Sequence, residues 1–276
     1  MVDVVVVVPA RDEEARIASC TRSVRRSLAH AVRTGAVDRG AIVVVGHRCL
    51  DDTLGRAQPE LAGGRHALLA EAGATTVGEV RALGVRAAID LLPYGARASR
   101  RGGVWVLSTD ADTVVPLTWV VDVLRHARDG NTHAVVGMAR LAGDRLVTPH
   151  AHAAYRRIIE AGLRGREHDH VYGANLAVRA DAYAAVGGFG PVVLGEDQAL
   201  VDALAQQGFV VARPRDVVVA TSGRRHGRAP GGLADLLARL DGLGRRPGCQ
   251  APSRRVERAS AGGVDSSVGC QPAPDA

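Results

Sequence analysis

Continuous apolar runs alternate with helix-spaced apolar positions along the first half of the chain. The runs at residues 4–8, 42–45 and 104–107 are typical of strands buried inside a parallel sheet, and residues 66–70 predict a further strand between the last two. After the first run, apolar side chains recur at helical spacing at Ile17, Cys20, Val24, Leu28 and Val32. This alternation predicts an α/β fold with an open, mainly parallel sheet and helices on both faces.

Polar residues near the ends of these runs predict where the helices begin. Asp12 is suited to cap the first helix, and Asp51 or Asp52 the second. Thr76 and Glu79 have the spacing of a capping box, which opens a third helix that runs to about residue 92.

The second half of the chain has a looser pattern. Pro116 suits the first position of the helix after the fourth strand. Strands are predicted near residues 134–141, 209–212 and 217–220, and helices near 151–163, from Asp181, and at 198–207. From residue 245 onward the chain has four prolines, four glycines, four serines and no aromatic residue, which predicts a disordered tail. We therefore expect one domain over residues 1–244, with halves at about 1–115 and 116–244, and a tail over 245–276.

Arginine is the only strongly basic residue, because the chain has no lysine among its 35 basic residues. Schiff-base chemistry and the phosphate-binding lysine of a P-loop are therefore excluded. The guanidinium fork binds the oxygens of diphosphates in pairs, so the net charge of +6 fits an anionic ligand. Aromatic residues make up only 3% of the chain, which argues against nucleic-acid binding by base stacking.

The four cysteines, Cys20, Cys49, Cys249 and Cys270, have no metal-binding or disulfide spacing. No apolar stretch approaches the length of a membrane span. The sequence thus predicts a cytoplasmic protein without a transmembrane segment, for which peripheral contact with the inner face of a membrane stays open.

Asp110 and Asp112 follow the fourth apolar run directly. If the chain stays extended there, the two side chains point the same way, and their like charges call for a positive partner. Mg²⁺ or Mn²⁺ would suit two carboxylates and leave positions for phosphate oxygens. The alternative is that one aspartate caps the next helix and the other is solvated.

Several motifs occur in a fixed order along the chain. They are "VVVVVPARDEEARIASC" at the start, "TDAD" about a hundred residues later, "YGANLAVRADAYAAVGGF", and "GED" before a helix. In this order and spacing they resemble a GT-A-type glycosyltransferase of family 2, over roughly residues 3–240. The resemblance implies a GT-A-like fold with a nucleotide-binding half and an acceptor-binding half. It also implies hexosyltransferase-type transfer, with inversion, from a nucleotide-diphosphate sugar to an acceptor hydroxyl, assisted by a divalent metal.

The resemblance assigns donor-binding roles to residues of the first half. It places the base and ribose of the donor against Pro9, Ala10, Arg11 and Glu13. Arg81, in "VRALG", matches a family position near the nucleotide, although a solvated helix-face arginine is the alternative for Arg11 and Arg81.

Metal and leaving-group roles also follow from the resemblance. Asp112 would hold Mg²⁺ or Mn²⁺ against the diphosphate, and Asp110 would face the ribose or the water shell of the metal. His226, in "TSGRRHGR", could complete the metal site, and a basic surface loop is the alternative. The departing diphosphate would be neutralised by arginines of the same motif, Arg224, Arg225 and Arg228.

Glu196 and Asp197 open a predicted helix after a glycine-rich loop. In the family the aspartate of this motif is the general base, so the resemblance makes Asp197 the residue that takes the proton of the acceptor hydroxyl. Ordinary helix capping is the alternative, because the helix dipole favours acids at this position.

One departure from the family pattern affects the choice of donor. Gly46 and His47 stand where the family has an acidic pair after the second strand, so a uridine donor is in doubt. A non-catalytic nucleotide-sugar-binding module therefore stays open as an alternative function. A nucleotidyltransferase is the other alternative, but the segment after the first strand, "VPARDEEARI", has no glycine-rich phosphate loop.

Overall fold

A seven-stranded sheet forms the centre of the computed structural model, which describes residues 2–92, 103–127, 131–143, 148–225, 227 and 232–244. The chain from Met1 to Gly244 is one compact unit. The tail predicted over residues 245–276 lies outside the described residues, as does His226.

The central sheet has the order β10-β5-β9-β4-β1-β2-β3, and only β9 runs antiparallel to its neighbours. A parallel pair, β6 and β11, lies beside it, and β7 with β8 forms a short hairpin. The strands are β1 Asp3–Ala10, β2 Arg39–His47, β3 Arg65–Glu71, β4 Val104–Ser108, β5 Thr132–Val136, β6 Met138–Ala142, β7 Leu163–Arg164, β8 Glu167–His168, β9 Leu176–Arg179, β10 Val210–Ala212 and β11 Val218–Ser222.

Eight α-helices connect or flank these strands in the described part of the chain, and a 3₁₀ turn at Gly173–Asn175 precedes β9. The helices are α1 Glu14–Arg33, α2 Thr53–Leu61, α3 Val77–Asp90, α4 Trp119–His126, α5 Pro149–Ala161, α6 Ala180–Ala185, α7 Glu196–Gln206 and α8 Leu233–Gly244. The predicted mainly parallel sheet is confirmed.

Both faces of the sheet are covered, as the continuous apolar runs predict. Alternate residues of β1 point to opposite sides. Val4 and Val6 belong to the cluster that contains α1 and α4, whereas Val5 and Val7 belong to the cluster that contains α3 and α7. The whole of β1 is therefore buried, and packing on both faces fixes its carboxyl end between those of its parallel neighbours β4 and β2.

The start of α1 differs from the prediction. Asp12 adopts a left-handed backbone conformation with φ of 50° and accepts the amide of Leu50 instead of capping the helix. The first helical amide, that of Glu14, donates instead to Asp51 at 3.0 Å. Asp51 therefore ties the segment after β2 to the start of α1. It also accepts the amide of Thr53, the first residue of α2, at 3.1 Å, whereas Asp52 forms no side-chain cap.

Other helix starts agree with the sequence signals to different extents. The capping box of Thr76 and Glu79 is confirmed at the start of α3. Pro116 is not the first residue of α4; its carbonyl accepts the amide of Trp119 in a turn before the helix. The helix α8 was not predicted, and it packs against α5 through Leu237 and Leu240.

Candidate active site

Several segments converge at the carboxyl ends of β1 and β4. These strands are parallel neighbours, with Val7 paired to Ser108. The segments after β1 and β4 meet the 3₁₀ turn before β9, the start of α7 and the segment after β11, through the contacts described below. Ligands in open α/β sheets bind at such carboxyl ends.

The "TDAD" segment turns instead of continuing as a strand. The amide of Thr113 donates to the carbonyl of Asp110 at 3.0 Å, so the extended geometry expected for Asp110 and Asp112 is wrong. The two carboxylates face different cations. Asp110 contacts Arg81 at 2.6 Å, and Asp112 lies 3.4 Å from Arg224.

Arg81 is buried and contacts three groups, which we call the Arg81 cluster: Ser108, Asp110 and Glu196. Nη1 donates to Ser108 Oγ, Nη2 to Asp110 Oδ1 at 2.6 Å, and Nε to Glu196 Oε1 at 3.1 Å. Burial opposes the charge, but the carboxylates of Asp110 and Glu196 outweigh it and raise the pKa of Arg81 above its ordinary value. The solvated alternative for this arginine is therefore wrong.

Asp197 is held by two backbone amides at the start of α7. Its Oδ2 accepts the amide of Gly173 at 2.6 Å, and its Oδ1 accepts the amide of Gln198 at 2.8 Å. A Cβ atom at Gly173 would lie 2.6 Å from Arg81 Nη2, so any other residue would have to displace the guanidinium from its present contacts. The carboxylate of Asp197 is thus fixed beside the Arg81 cluster.

Asn175 holds the 3₁₀ turn that presents Gly173. Its Oδ1 accepts the indole N–H of Trp119 at 2.9 Å, and its Nδ2 donates to the carbonyls of Met138 and Val217. These bonds use both hydrogens of the buried amide and give its oxygen a donor. The sequence did not lead us to single out Gly173 and Asn175 as site residues. Both nevertheless lie in the quoted motif "YGAN", directly before β9, and this motif is the sequence feature that could have identified them.

Arg224 forms a second cluster, the Arg224 cluster, with Glu13, Asp112 and Thr221. Its Nη1 donates to Glu13 Oε1, its Nη2 lies 3.4 Å from Asp112 Oδ2, and Thr221 donates to Asp112 Oδ1 at 3.3 Å. Burial and the neighbouring charge of Asp110 raise the pKa of Asp112 to about 6, although Arg224 opposes the shift. The carboxylates at this edge therefore need positive charge.

The acids at this edge have the chemistry that a hard divalent cation requires, but not the spacing of a complete ligand set. Among the described residues, the group whose three ligand atoms lie within 4.8 Å of one another is Asp12, Cys49 and Asp51, and one or two carboxylates at this edge would leave the other metal positions to phosphate oxygens. Glu13, Asp110 and Asp112 supply carboxylate oxygens, which are the ligands that Mg²⁺ and Mn²⁺ prefer. Burial and the charge of Asp110, which raise the pKa of Asp112, would both be offset by such an ion.

The remaining predicted residues lie in different surroundings. Pro9 and Ala10 are buried at the end of β1, and Arg11 is exposed immediately beyond it. Arg225 points to α8, where it contacts Asp241 at 3.2 Å. The Nε2 atom of His47 lies 2.9 Å from the carbonyl of Ala74.

No protein-family model and no curated protein matches the chain. Solved structures do match it. The mannosyltransferase PcManGT from Pyrobaculum calidifontis, solved with GDP-Man and Mn²⁺, aligns with a TM-score of 0.55 and 18% identity over 87% of this chain and 69% of that one. The chain has a GT-A fold. A TarS fragment from S. aureus, solved with UDP-GlcNAc, shares the GT-A fold with a TM-score of 0.57 and 13% identity, over 87% of this chain and 66% of that one.

The GT-A fold confirms the fold class predicted from the ordered motifs. The chain spans about two thirds of the length of both matched structures. None of the described helices is long and apolar enough to cross a membrane.

Proposed function

We propose that the protein is an inverting glycosyltransferase that moves a sugar from a nucleotide-diphosphate donor to an acceptor hydroxyl. The observation that carries this proposal is the fixed carboxylate of Asp197, adjacent to a buried arginine that also holds Asp110 of "TDAD". The candidate general base and the candidate site for the nucleotide-sugar donor are thereby adjacent to the same buried arginine. The matched structures of PcManGT and TarS, which hold GDP-Man and UDP-GlcNAc, support a nucleotide-sugar donor.

The donor side of the proposed site is built on β1 and β4. Pro9, Ala10, Arg11 and Glu13 would lie against the base and ribose. Asp112, with Asp110 in a supporting role and His226 from outside the described residues, would hold Mg²⁺ or Mn²⁺. Such an ion, when bound, supplies positive charge that stabilises a departing nucleoside diphosphate. Arg225 is assigned to the same leaving group, for which it would have to leave Asp241.

The acceptor side is built on Gly173 and the start of α7. We assign the role of general base to Asp197, because its carboxylate is oriented by two amides without an ion-pair contact of its own in the described part of the chain. Glu196 is less suited, because it is buried and bound to Arg81. The proton of the acceptor hydroxyl would move to Asp197 as the oxygen attacks the anomeric carbon on the face opposite the diphosphate.

A cytoplasmic location, at or near the inner face of a membrane, is part of the proposal. It is supported by two cysteines that are free in the structure, Cys20 and Cys49.

Asp197→Asn tests the assignment of the base. Because the base acts on the acceptor and not on the donor, transfer should fall by about 10²- to 10⁴-fold while donor affinity changes little. Donors are first selected by thermal shift among UDP-, GDP- and TDP-sugars with Mn²⁺. Release of nucleoside diphosphate is then measured with water and with a panel of hydroxyl acceptors.

Asp202→Asn is the matched control on the same helix, since Asp202 contacts only Gln198 among its described hydrogen-bond partners. Parental rates in Asp197→Asn would show that this carboxylate only caps the helix, and the proposed mechanism would fail.

A further inference from the structure

Arg224 contacts Asp112, the residue assigned to the metal in the proposed function, and also contacts Glu13. Its guanidinium joins the carboxylates of Glu13 and Asp112, which come from the segments after β1 and β4. The side chains of Glu13 and Asp112 are only 4% and 10% exposed, whereas that of Arg224 is 21% exposed. The arginine therefore reaches two nearly buried acids from the outer side of the site.

The two nearly buried acids need this positive charge for a physical reason. Carboxylates removed from water are costly unless a cation or hydrogen-bond donors compensate them. Thr221 contributes one hydrogen bond to Asp112, and the Arg224 guanidinium supplies positive charge to both acids, with Arg16 3.8 Å from the other carboxylate oxygen of Glu13. A divalent ion bound to Asp112 would supply the same compensation and would repel the guanidinium at this distance.

We propose that Arg224 is a resident counter-ion of Glu13 and Asp112, and that the divalent metal displaces it before it takes the diphosphate role that the ordered motifs imply for it. This inference rests on the proposed function and adds a role for one residue of the same site. The planar fork that joins two carboxylates matches the paired oxygens of a diphosphate equally well. The exchange keeps the charge of the site balanced, because the ion binds together with an anionic ligand. The arginine then forms its ion pair with that ligand instead of with the carboxylates.

The exchange predicts opposite effects of one substitution on two affinities. In Arg224→Gln the competing charge is lost, so Mn²⁺ alone, followed by the electron paramagnetic resonance of the free ion, should bind about five- to tenfold more tightly. With Mn²⁺ saturating, UDP and GDP should bind about tenfold more weakly by calorimetry, because a charge-assisted contact to phosphate is lost.

Charge-matched variants separate the exchange from a general effect of charge. Arg224→Lys should keep the Mn²⁺ affinity within about twofold of the parent, because the competing charge remains. Arg22→Gln, which removes a similar ion pair with Glu60 on the surface between α1 and α2, should change neither affinity. Arg224→Met is a second neutral variant, to be used if Arg224→Gln does not fold.

The outcomes distinguish this inference from the proposed function. If the parent binds Mn²⁺ and a nucleoside diphosphate, and Asp112→Asn abolishes Mn²⁺ binding, unchanged or weaker Mn²⁺ binding in the neutral Arg224 variants overturns the exchange alone. Tighter Mn²⁺ binding with unchanged UDP and GDP affinity overturns the diphosphate role. A parent that binds neither Mn²⁺ nor any nucleoside diphosphate overturns both proposals.

Discussion

The Arg81 cluster and the Arg224 cluster each join one arginine to two carboxylates, yet their surroundings differ. Arg81 is 4% exposed and also donates to Ser108 in the central sheet. Arg224 is 21% exposed and approaches its two acids from the segment after β11. The first cluster joins α3, β4 and α7, whereas the second spans the edge where a donor would enter.

This difference separates a fixed ion network from an exchangeable one. A buried arginine with three partners cannot leave without stranding charges in the core, so it acts as a permanent part of the site. A half-buried arginine can be replaced by another cation, because the carboxylates need the charge and not the particular group that carries it. Similar ion pairs thus stabilise the fold in the Arg81 cluster and permit ligand exchange in the Arg224 cluster.

The largest effect is expected from Arg81→Gln. This substitution leaves Glu196 buried without its cation and should lower the free energy of unfolding by about 3–5 kcal/mol. Arg224→Gln should cost about 1–3 kcal/mol without metal, and Mn²⁺ should restore most of that loss. Urea unfolding with EDTA and with Mn²⁺ measures both. Equal losses, or recovery of Arg81→Gln by Mn²⁺, would remove the distinction between the clusters.

An intermediate effect is expected from Glu196→Gln. The amide oxygen can still accept from Arg81, but one compensating charge is lost, so we expect a loss of about 1–2 kcal/mol. Transfer should fall much less than in Asp197→Asn, because Glu196 only positions Arg81 and α7. Comparison of kcat and donor affinity in the two variants checks this. The reverse ranking would reassign the general base to Glu196.

The smallest effect is expected from Ser108→Ala. It removes one neutral partner of Arg81 and leaves both carboxylates in place, so about 1 kcal/mol should be lost. Urea unfolding gives the stability, and the donor affinity should stay at the parental value. A loss as large as that of Arg81→Gln would show that Ser108, and not the ion pairs, anchors the cluster.

Features that depend on neighbouring residues were predicted well from the sequence. All four runs became strands, β1 to β4, although β3 lies at the edge of the sheet and has no buried residue. The capping box opened α3. Apolar strands and local capping bonds are decided within a few positions, so they could be predicted. The helical spacing of Leu233, Leu237 and Leu240 also carried the signal for α8, although the glycine- and proline-rich segment before it obscured the start.

Features that depend on distant partners were not predicted. Asp12 does not cap α1, because Asp51, 37 positions beyond Glu14, binds the amide of that residue. The two acids of "TDAD" diverge because each faces an arginine from a remote segment, at Arg81 and Arg224. The sequence predicted that Asp110 and Asp112 need positive charge, but local patterns do not show which groups the fold brings there.

The reversed direction of β9 has a consequence for how the protein can diversify. Because β9 runs antiparallel to β4, Leu176 at its start pairs with Ser108 at the end of β4. Residues that precede a strand therefore present Gly173 to Asp197, whereas residues that follow β1 and β4 form the proposed donor side. Changes on the side of Gly173 therefore need not shift the register of β1 or β4, so that acceptor preference can evolve, or be redesigned, separately from donor preference. His168 limits this freedom, because it is buried and its Nε2 atom lies 3.0 Å from the carbonyl of Val136 in β5.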